Sequence, residues 1–287
     1  MSQSVTQVDI IKVSAAESKG SDLLSRGGQP DYLAVEEPLE IRLNFGKAGD
    51  RKTRSISITM RTPGNDEELA AGFLFTEGII SGGGEVSSIA HLNSLLNPEN
   101  IVIVDLDERV EPDLIKLERN FYTTSSCGVC GKASIEAVKT TGNLQNVAGT
   151  ELEVKTEVFK ALPERLRSRQ EVFDTTGGLH ASALFDREGG FLMSREDVGR
   201  HNALDKLIGW ALNEKRIPLD SEILLLSGRA SFELIQKAAM ARIKIVAAVG
   251  APSSLAVQTA KEFGMTLIGF LRENRFNIYC GEERVIW

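Results

Sequence analysis

The sequence predicts an α/β protein, α+β overall, in which a smaller N-terminal α+β part precedes an α/β layer. In the first third of the chain, apolar and polar residues alternate with a period of two, as half-buried strands require. After residue 222, short apolar runs of strand length alternate with segments of helical periodicity, which is typical of a mixed or largely parallel sheet covered by helices. With 287 residues and 42% hydrophobic composition, the chain is long enough to bury a core in each part.

The chain starts with a segment that shows no sustained periodicity. Residues 1–30 are rich in Ser, Gly, Lys and Asp, and we predict a flexible N-terminal tail there. Residues 39–45 and 55–60 each alternate apolar and polar side chains, and a turn-rich stretch separates them. This arrangement predicts a β-hairpin.

A helix and a further strand complete the small α+β part, which we place at residues 31–125. Asn65 or Asp66 is positioned to cap a helix that runs through Phe75, because acidic residues follow in the favourable first turn. Residues 100–106 form an apolar run of strand length. Beyond this part, residues 154–170 have helical character, and Pro163 is expected to interrupt that helix.

Predicted strands and helices alternate more regularly in the second half of the chain, and we assign residues 126–287 to one α/β domain. Residues 178–185 and 190–194 predict paired strands, and residues 202–212 are apolar at helical spacing. Strands and helices then alternate to the end of the domain, at residues 223–226, 232–242, 243–249, 253–263 and 266–270.

Three loops follow the strands of this predicted sheet, and in such sheets ligands bind at the carboxyl ends of the strands. The loops at 227–231 and 250–254 lead glycine and small hydroxyl residues into a helix start, where backbone N–H groups can hold a phosphate. Ser253 in such a position is also an ordinary helix cap. With Arg229 in the first loop and the Arg-x-x-Arg loop at 271–275, the pattern favours a phosphate-bearing ligand.

A second concentration of polar groups lies at residues 194–202, before the helix at 202–212. One interpretation is a solvated turn in which Asp197 caps the helix. The proximity of Arg195, Arg200 and His201 in sequence, with His180 on a neighbouring predicted strand, favours an anionic ligand instead.

Two of the three cysteines form a C-x-x-C pair, Cys127 and Cys130, with a glycine after each and a helix-like run behind them. A helix N-terminus and the adjacent Lys132 both favour the thiolate, which is the nucleophile in sulfur exchange. A structural zinc half-site and a thioredoxin-type dithiol stay open as alternatives. Cys280 is expected to be a passive thiol at the end of a strand.

Composition excludes several classes of protein. A formal net charge of −7 argues against a general nucleic-acid binder. No apolar run approaches the length of a membrane span, and the N-terminus lacks the order of a secretory signal. We therefore expect a cytoplasmic protein without membrane or nucleic-acid partners, in which a reducing environment keeps the C-x-x-C thiols available.

Six motifs, in this order, resemble the FdhD family of formate dehydrogenase accessory sulfurtransferases. They are SSCGVCGK at 125–132, TGGLHASALFD at 176–186, REDVGRHNALDKLIG at 195–209, SGRASFELIQKAA at 227–239, VGAPSSLAVQTA at 249–260 and GMTLIGFLRENRFNIY at 264–279. The resemblance covers about residues 39–279. It implies a homodimer whose main domain has a three-layer fold like that of cytidine deaminases.

The resemblance also implies a function. Members of the family accept persulfide sulfur from a cysteine desulfurase and pass it to the molybdenum bis-molybdopterin guanine dinucleotide cofactor, before that cofactor enters formate dehydrogenase. On the family pattern Cys127 carries the persulfide and Cys130 assists.

The family's cofactor-binding segment corresponds to Phe270, Leu271, Arg272, Glu273, Asn274 and Arg275, and a guanine nucleotide is expected to occupy the same site. Arg229, Ser253, His180, Arg200 and His201 are the further cofactor-binding residues that we predict. No metal ligand of the protein itself is predicted.

Three other functions stay open at this point. A non-enzymatic chaperone would use the same cofactor cleft, and a dithiol oxidoreductase would cycle Cys127 and Cys130 through a disulfide. A nucleoside deaminase would need an H-x-E zinc motif, whereas His180 is followed by Ala181 and Ser182 and lies downstream of the cysteines.

Overall fold

The structure of the protein is a computed structural model that describes residues 4–15, 24–92, 98–112 and 152–287. The predicted strand-and-helix alternation is present, and the α/β fold class is confirmed. Among the described residues, no helix has both the length and the apolar character needed to cross a bilayer.

The N-terminal part contains a separate hairpin, a four-stranded sheet and one helix. The strands are β1 Val5–Ala15, β2 Leu24–Ala34, β3 Glu37–Phe45, β4 Lys52–Arg61, β5 Val86–His91 and β6 Ile101–Leu106, and the helix is α1 Asp66–Thr76. The four-stranded sheet has the order β4-β3-β6-β5. The predicted hairpin of β3 and β4 is confirmed, and α1 ends where Gly78 takes a left-handed conformation.

The α/β part is built around a six-stranded sheet of order β13-β12-β11-β10-β8-β9. Its strands are β8 His180–Phe185, β9 Phe191–Asp197, β10 Ile223–Leu226, β11 Ile245–Ala248, β12 Thr266–Gly269 and β13 Asn277–Cys280. Its helices are α2 Thr156–Arg167, α3 Glu171–Thr176, α4 Arg200–Asn213, α5 Phe232–Met240 and α6 Ser254–Glu262. A two-stranded parallel sheet pairs β7 Val154–Lys155 with β14 Val285–Ile286. Within the six-stranded sheet, β10, β11 and β12 run parallel and β8 pairs antiparallel to β10.

Hydrophobic cores lie on both faces of the six-stranded sheet. One face packs against α2 through Phe159, Leu162 and Leu166, which are all buried. The other face packs against α4, α5 and α6, and this core continues through α1 to the inner face of the four-stranded sheet. The α/β part therefore has three layers, and the N-terminal part shares its second core. The predicted domain boundary at residues 125 and 126 lies outside the described residues.

Helices α1 and α4 cross at two glycines, which joins the two parts closely. A Cβ atom at Gly72 would overlap the carbonyl oxygen of Asp205, and a Cβ atom at Gly209 would overlap the carbonyl oxygen of Glu68. Only residues without side chains allow two helix backbones to approach so closely. This crossing holds α4, which carries two of the predicted site residues, against the N-terminal part.

Two predictions from the sequence are wrong. The segment predicted as a flexible tail at 1–30 contains most of the β1–β2 hairpin, whose described side chains are all at least partly exposed. Because the described side chains leave neither face of this hairpin buried, its sequence does not need to alternate apolar and polar residues. The hydrophobic periodicity therefore did not indicate these two strands. Pro163 does not interrupt α2 either, and the helix ends four residues later. The buried apolar face of α2 outweighs the cost of the proline.

Candidate functional site

Three loops meet at the carboxyl edge of the parallel strands. Gly250 N–H donates to Gly228 O at 2.8 Å, Ser253 N–H donates to Ala230 O at 3.0 Å, and Phe270 N–H donates to Gly250 O at 3.0 Å. A Cβ atom at Gly250 would lie 2.8 Å from Gly228 O, so the stacking of the loops requires glycine there. The structure thus brings together the loops at 227–231, 250–254 and 270–275.

A cavity of about 830 Å³ opens beside these loops. His180, Gly228, Val249 and Glu273 form its wall on the sheet side, and α2 and α3 form the opposite wall. Its position at the carboxyl ends of the strands is where α/β sheets bind ligands.

The opposite wall depends on Glu196, which sequence reasoning did not identify. The Glu196 carboxylate accepts hydrogen bonds from Val172 N–H at 3.2 Å and Phe173 N–H at 3.0 Å, at the start of α3. Burial raises the pKa of Glu196, although these two hydrogen bonds oppose the shift. Glu196 therefore ties α3, and with it one wall of the cavity, to the edge strand β9.

The six residues of the segment at 270–275 have different environments. Phe270 is 43% exposed and has a left-handed backbone with φ 51°, whereas the side chain of Leu271 is fully buried in the core shared with α2. Leu271 belongs to the predicted cofactor-binding segment, but its buried side chain contributes to the core. Arg272 Nη1 donates to Val249 O and to Leu271 O, both at 2.7 Å. The remaining three residues of the segment, Glu273, Asn274 and Arg275, are exposed.

The Ser253 hydroxyl is used as a helix cap, because its oxygen accepts a hydrogen bond from Ala256 N–H at 3.1 Å. A ligand at this helix start would therefore meet backbone N–H groups rather than the hydroxyl of Ser253. Arg229 is exposed on the neighbouring loop.

His180, Arg200, His201 and Arg229 form a cluster of basic side chains next to the three loops. Arg195 instead pairs with Glu68, with its Nε 2.5 Å from Glu68 Oε2. Burial, together with the charges of Arg200, His201 and Arg229, lowers the pKa of His180. The imidazole of His180 packs on Gly228, where a Cβ atom would lie 3.1 Å from its Nδ1. The structure therefore gathers on one surface four of the residues that the sequence predicted for an anionic ligand.

Several buried polar atoms of this surface have no hydrogen-bond partner within the described part of the chain. They are Arg200 Nε, His201 Nε2 and Ser231 Oγ. Buried polar groups are nearly always paired in a complete structure, so unpaired ones indicate a place for water or a ligand.

Arg200 and His201 also lie in the first turn of α4, which contains no acidic residue and has no side-chain cap. Cations at this end of a helix oppose the helix dipole. The arrangement does not favour helix stability, but it suits the binding of an anion.

Glu233 contacts this cluster, and sequence reasoning did not point to it. Its Oε2 lies 3.8 Å from His201 Nε2. Burial would raise the pKa of Glu233, but the proximity of His201, its own backbone N–H and Ser231 outweighs burial and lowers this pKa to about 2. Glu233 is therefore ionised at neutral pH and partly offsets the positive charge. An acidic residue in the first turn of a helix is so common that it gave no functional signal.

The C-x-x-C pair, Cys127 and Cys130, lies outside the described residues, and so does the helix predicted behind it. Cys280 ends β13, is 8% exposed, and has a pKa raised by burial. A raised pKa disfavours the thiolate, so Cys280 is poorly suited to sulfur chemistry.

Comparison with known proteins places the chain in a family. The model of the FdhD/NarQ family matches residues 34–286. A protein of Mycolicibacterium paratuberculosis named sulfur carrier protein FdhD is 52% identical over 90% of this chain and 93% of its own length. A protein of the same name from Saccharolobus solfataricus is 41% identical over 98% of both chains.

The crystal structure of a chain described as a formate dehydrogenase accessory protein, from Desulfotalea psychrophila, superposes with a TM-score of 0.69. It is 25% identical and covers 97% of this chain and 99% of that chain. The resemblance carried by the six sequence motifs is thus confirmed, and the chain belongs to the FdhD/NarQ family.

Proposed function

We propose that this protein is a sulfurtransferase that accepts persulfide sulfur from a cysteine desulfurase on Cys127 and delivers it to the molybdenum bis-molybdopterin guanine dinucleotide cofactor, its substrate, for use by formate dehydrogenase. The relatives named sulfur carrier proteins support the sulfur-transfer role. The observation that carries the cofactor part of the proposal is the cluster of basic side chains beside the cavity of about 830 Å³, both at the carboxyl edge of the sheet.

The charged groups at the carboxyl edge of the sheet are suited to binding a dinucleotide. Arg229, Arg272 and Arg275 are exposed around the stacked loops, and the start of α6 offers backbone N–H groups. Guanidinium groups and helix N-termini are the groups that proteins use most often to hold phosphates. The phosphates of the guanine dinucleotide arms would lie over these groups, with a second copy of the chain completing a homodimer in the cytoplasm.

The sulfur chemistry proceeds by exchange between thiolates. The Cys127 thiolate attacks the outer sulfur of the desulfurase persulfide, so that one S–S bond forms, another breaks, and the desulfurase cysteine leaves as a thiolate. Attack by the Cys130 thiolate on the inner sulfur of the Cys127 persulfide then forms a disulfide and releases the outer sulfur as hydrosulfide for the metal. This last step oxidises the cysteine pair by two electrons, and a cellular dithiol reduces it again.

Mass spectrometry after incubation with a cysteine desulfurase and free cysteine tests the sulfur step. The expected result is one added sulfur on the Cys127 peptide, removable by reductant, in the wild type and in larger yield in Cys130→Ala, which lacks the releasing thiol, but not in Cys127→Ala. Cys280→Ala is the matched control and should load like the wild type, since Cys280 is buried.

Absence of added sulfur on either cysteine of the pair, with cofactor binding intact, would overturn the sulfurtransferase proposal in favour of a cofactor-binding chaperone. Reversible disulfide cycling without any carried sulfur would instead identify a dithiol oxidoreductase.

A further inference from the structure

The turn between β9 and α4 is fixed by one fully buried carboxylate, that of Asp197. Four groups lie within hydrogen-bond distance of its two oxygens, from both parts of the molecule. They are Thr62 N at 3.1 Å, Gly199 N at 2.8 Å, Asn202 Nδ2 at 3.1 Å and Lys206 Nζ at 2.7 Å. A carboxylate that is satisfied in this way is held rigidly, because every lost bond would leave a buried charge or donor unpaired.

Thr62, which directly follows β4, forms the other half of this arrangement. Its carbonyl oxygen accepts a hydrogen bond from Lys206 Nζ at 2.8 Å, and its hydroxyl oxygen accepts one from Val198 N–H at 3.2 Å. Asn202 adds a further bond, since its Nδ2 donates to Met60 O at 2.8 Å. The end of β4 and the turn before α4 are thus joined by bonds that centre on Asp197.

The residues that this turn carries are Arg200 and His201. They lie between Gly199 and Asn202, both of which donate to Asp197 Oδ1. Arg200 Nε and His201 Nε2 are the buried nitrogens that lack a hydrogen-bond partner in the described part of the chain. Neither nitrogen has a hydrogen bond to the described part of the protein, and His201 Nε2 has the longer contact with Glu233 Oε2 at 3.8 Å, so the backbone of the turn largely sets their position.

We infer that Asp197 is a positioning residue, which orients Arg200 and His201 toward the anionic part of the bound ligand by fixing the β9–α4 turn against Thr62. The inference rests on the proposed function, because it takes that ligand to be a guanine dinucleotide. It assigns a role to the N-terminal part of the molecule, in which Met60 at the end of β4 and Thr62 just after it supply the partners that hold the turn.

Asp197→Asn tests this role, with Asp205→Asn as the matched control. Asp205 is buried on α4, the helix that follows the turn, and its Oδ2 pairs with Lys237 Nζ at 3.0 Å, so both variants neutralise the carboxylate of a buried Asp–Lys pair. The control differs in that none of its bonds involves the turn. Binding of GDP, used as the probe for the dinucleotide arm, is measured by calorimetry for both variants and the wild type. His201 imidazole resonances are recorded by NMR, in a chain that has only three histidines.

We expect Asp197→Asn to weaken GDP binding about tenfold and to shift the His201 resonances. Asp205→Asn should lose as much thermal stability, but its GDP affinity should stay within about twofold of the wild type and its His201 resonances should not move. Equal effects of the two variants, or no effect of Asp197→Asn, would overturn the inference.

Thr62→Val gives a second test if Asp197→Asn does not fold. It removes the hydroxyl that accepts from Val198 N–H but keeps the Asp197–Lys206 ion pair, and should weaken GDP binding about threefold. An unchanged affinity would contradict the positioning role. If the wild type does not bind GDP, the cofactor part of the proposed function fails, and the His201 resonances of Thr62→Val and Asp197→Asn still decide whether Asp197 orients the turn.

Discussion

At the scale of single residues, Phe270 stands out because an exposed aromatic residue adopts a left-handed backbone. Its φ is 51°, and its N–H donates to Gly250 O at 3.0 Å. For a residue with a Cβ atom this conformation costs about 1–2 kcal/mol. A strained, exposed aromatic side chain beside three clustered loops is better explained by a ligand than by stability.

Replacing Phe270 by glycine separates the contribution of its ring to ligand binding from its contribution to stability. The unfolding free energy should stay within about 1 kcal/mol of the wild type, since relief of strain offsets the greater entropy of the unfolded chain. GDP affinity should fall, because the ring is lost. Chemical denaturation and calorimetry measure the two effects. A large loss of stability with unchanged affinity would show that the ring serves the fold instead.

His180 gives a prediction for pH dependence. Burial and the neighbouring cations lower the folded-state pKa of His180, whereas the unfolded chain protonates near 6.5. The unfolded state therefore binds more protons just below pH 6.5, and stability should fall as the pH drops through that value. Denaturation at several pH values measures this slope, and His180→Asn should reduce it. NMR titration should also show that GDP raises the pKa of His180, because a bound phosphate favours the imidazolium. A pKa at or above 6.5 without ligand would contradict the prediction.

At the scale of elements, the contact of α1 with α4 holds the N-terminal part against the helix that carries Arg200 and His201. Gly72→Ala should destabilise the protein by about 3 kcal/mol or more, because the new methyl group overlaps the Asp205 carbonyl oxygen and the two helices must separate. Thermal and chemical unfolding measure the loss. Gly84→Ala is the control, since a Cβ atom there meets nothing within 4 Å. Equal stability of the two variants would mean that the helices do not approach as described.

At the scale of the whole molecule, the β1–β2 hairpin is peripheral to both cores. None of its described residues is buried, and the family match begins only at residue 34. Contacts of the hairpin with the rest of the described molecule include the Ser4 hydroxyl, which donates to Pro63 O at 2.9 Å, and the approach of β2 to α3. Val35 N–H donates to Ser4 O at 3.0 Å.

Removal of residues 1–33 should therefore leave a cooperatively folding protein. Loss of the two hydrogen bonds is expected to cost about 1–3 kcal/mol, and GDP binding should persist. Thermal unfolding followed by circular dichroism, together with calorimetry, measures both. Loss of the cooperative transition would show that the hairpin supports a core after all.

The predictions from sequence succeeded where a buried face imposes a period and failed where it does not. The alternation at 39–45 and the strand-helix rhythm after residue 222 predicted β3 and β10 to β12, because each strand covers a core. The prediction that Pro163 interrupts α2 was wrong because only the local cost of a proline inside a helix can be read from the sequence. The packing of α2 against the sheet, which offsets that cost, involves residues far away in the chain.

The candidate site divides in the same way. The sequence by itself determined the α/β class, the family motifs, the C-x-x-C pair and the cationic side chains at 200, 201 and 229, because these depend on residue type and local spacing. Only the tertiary structure decided that the side chain of Leu271 is buried in the core, that the Ser253 hydroxyl caps α6, and that Asp197 joins the turn before α4 to Thr62. The physical reason is that burial and hydrogen-bond partners are set by residues far apart in the chain, such as Asp197 and Thr62, which only the folded molecule brings together.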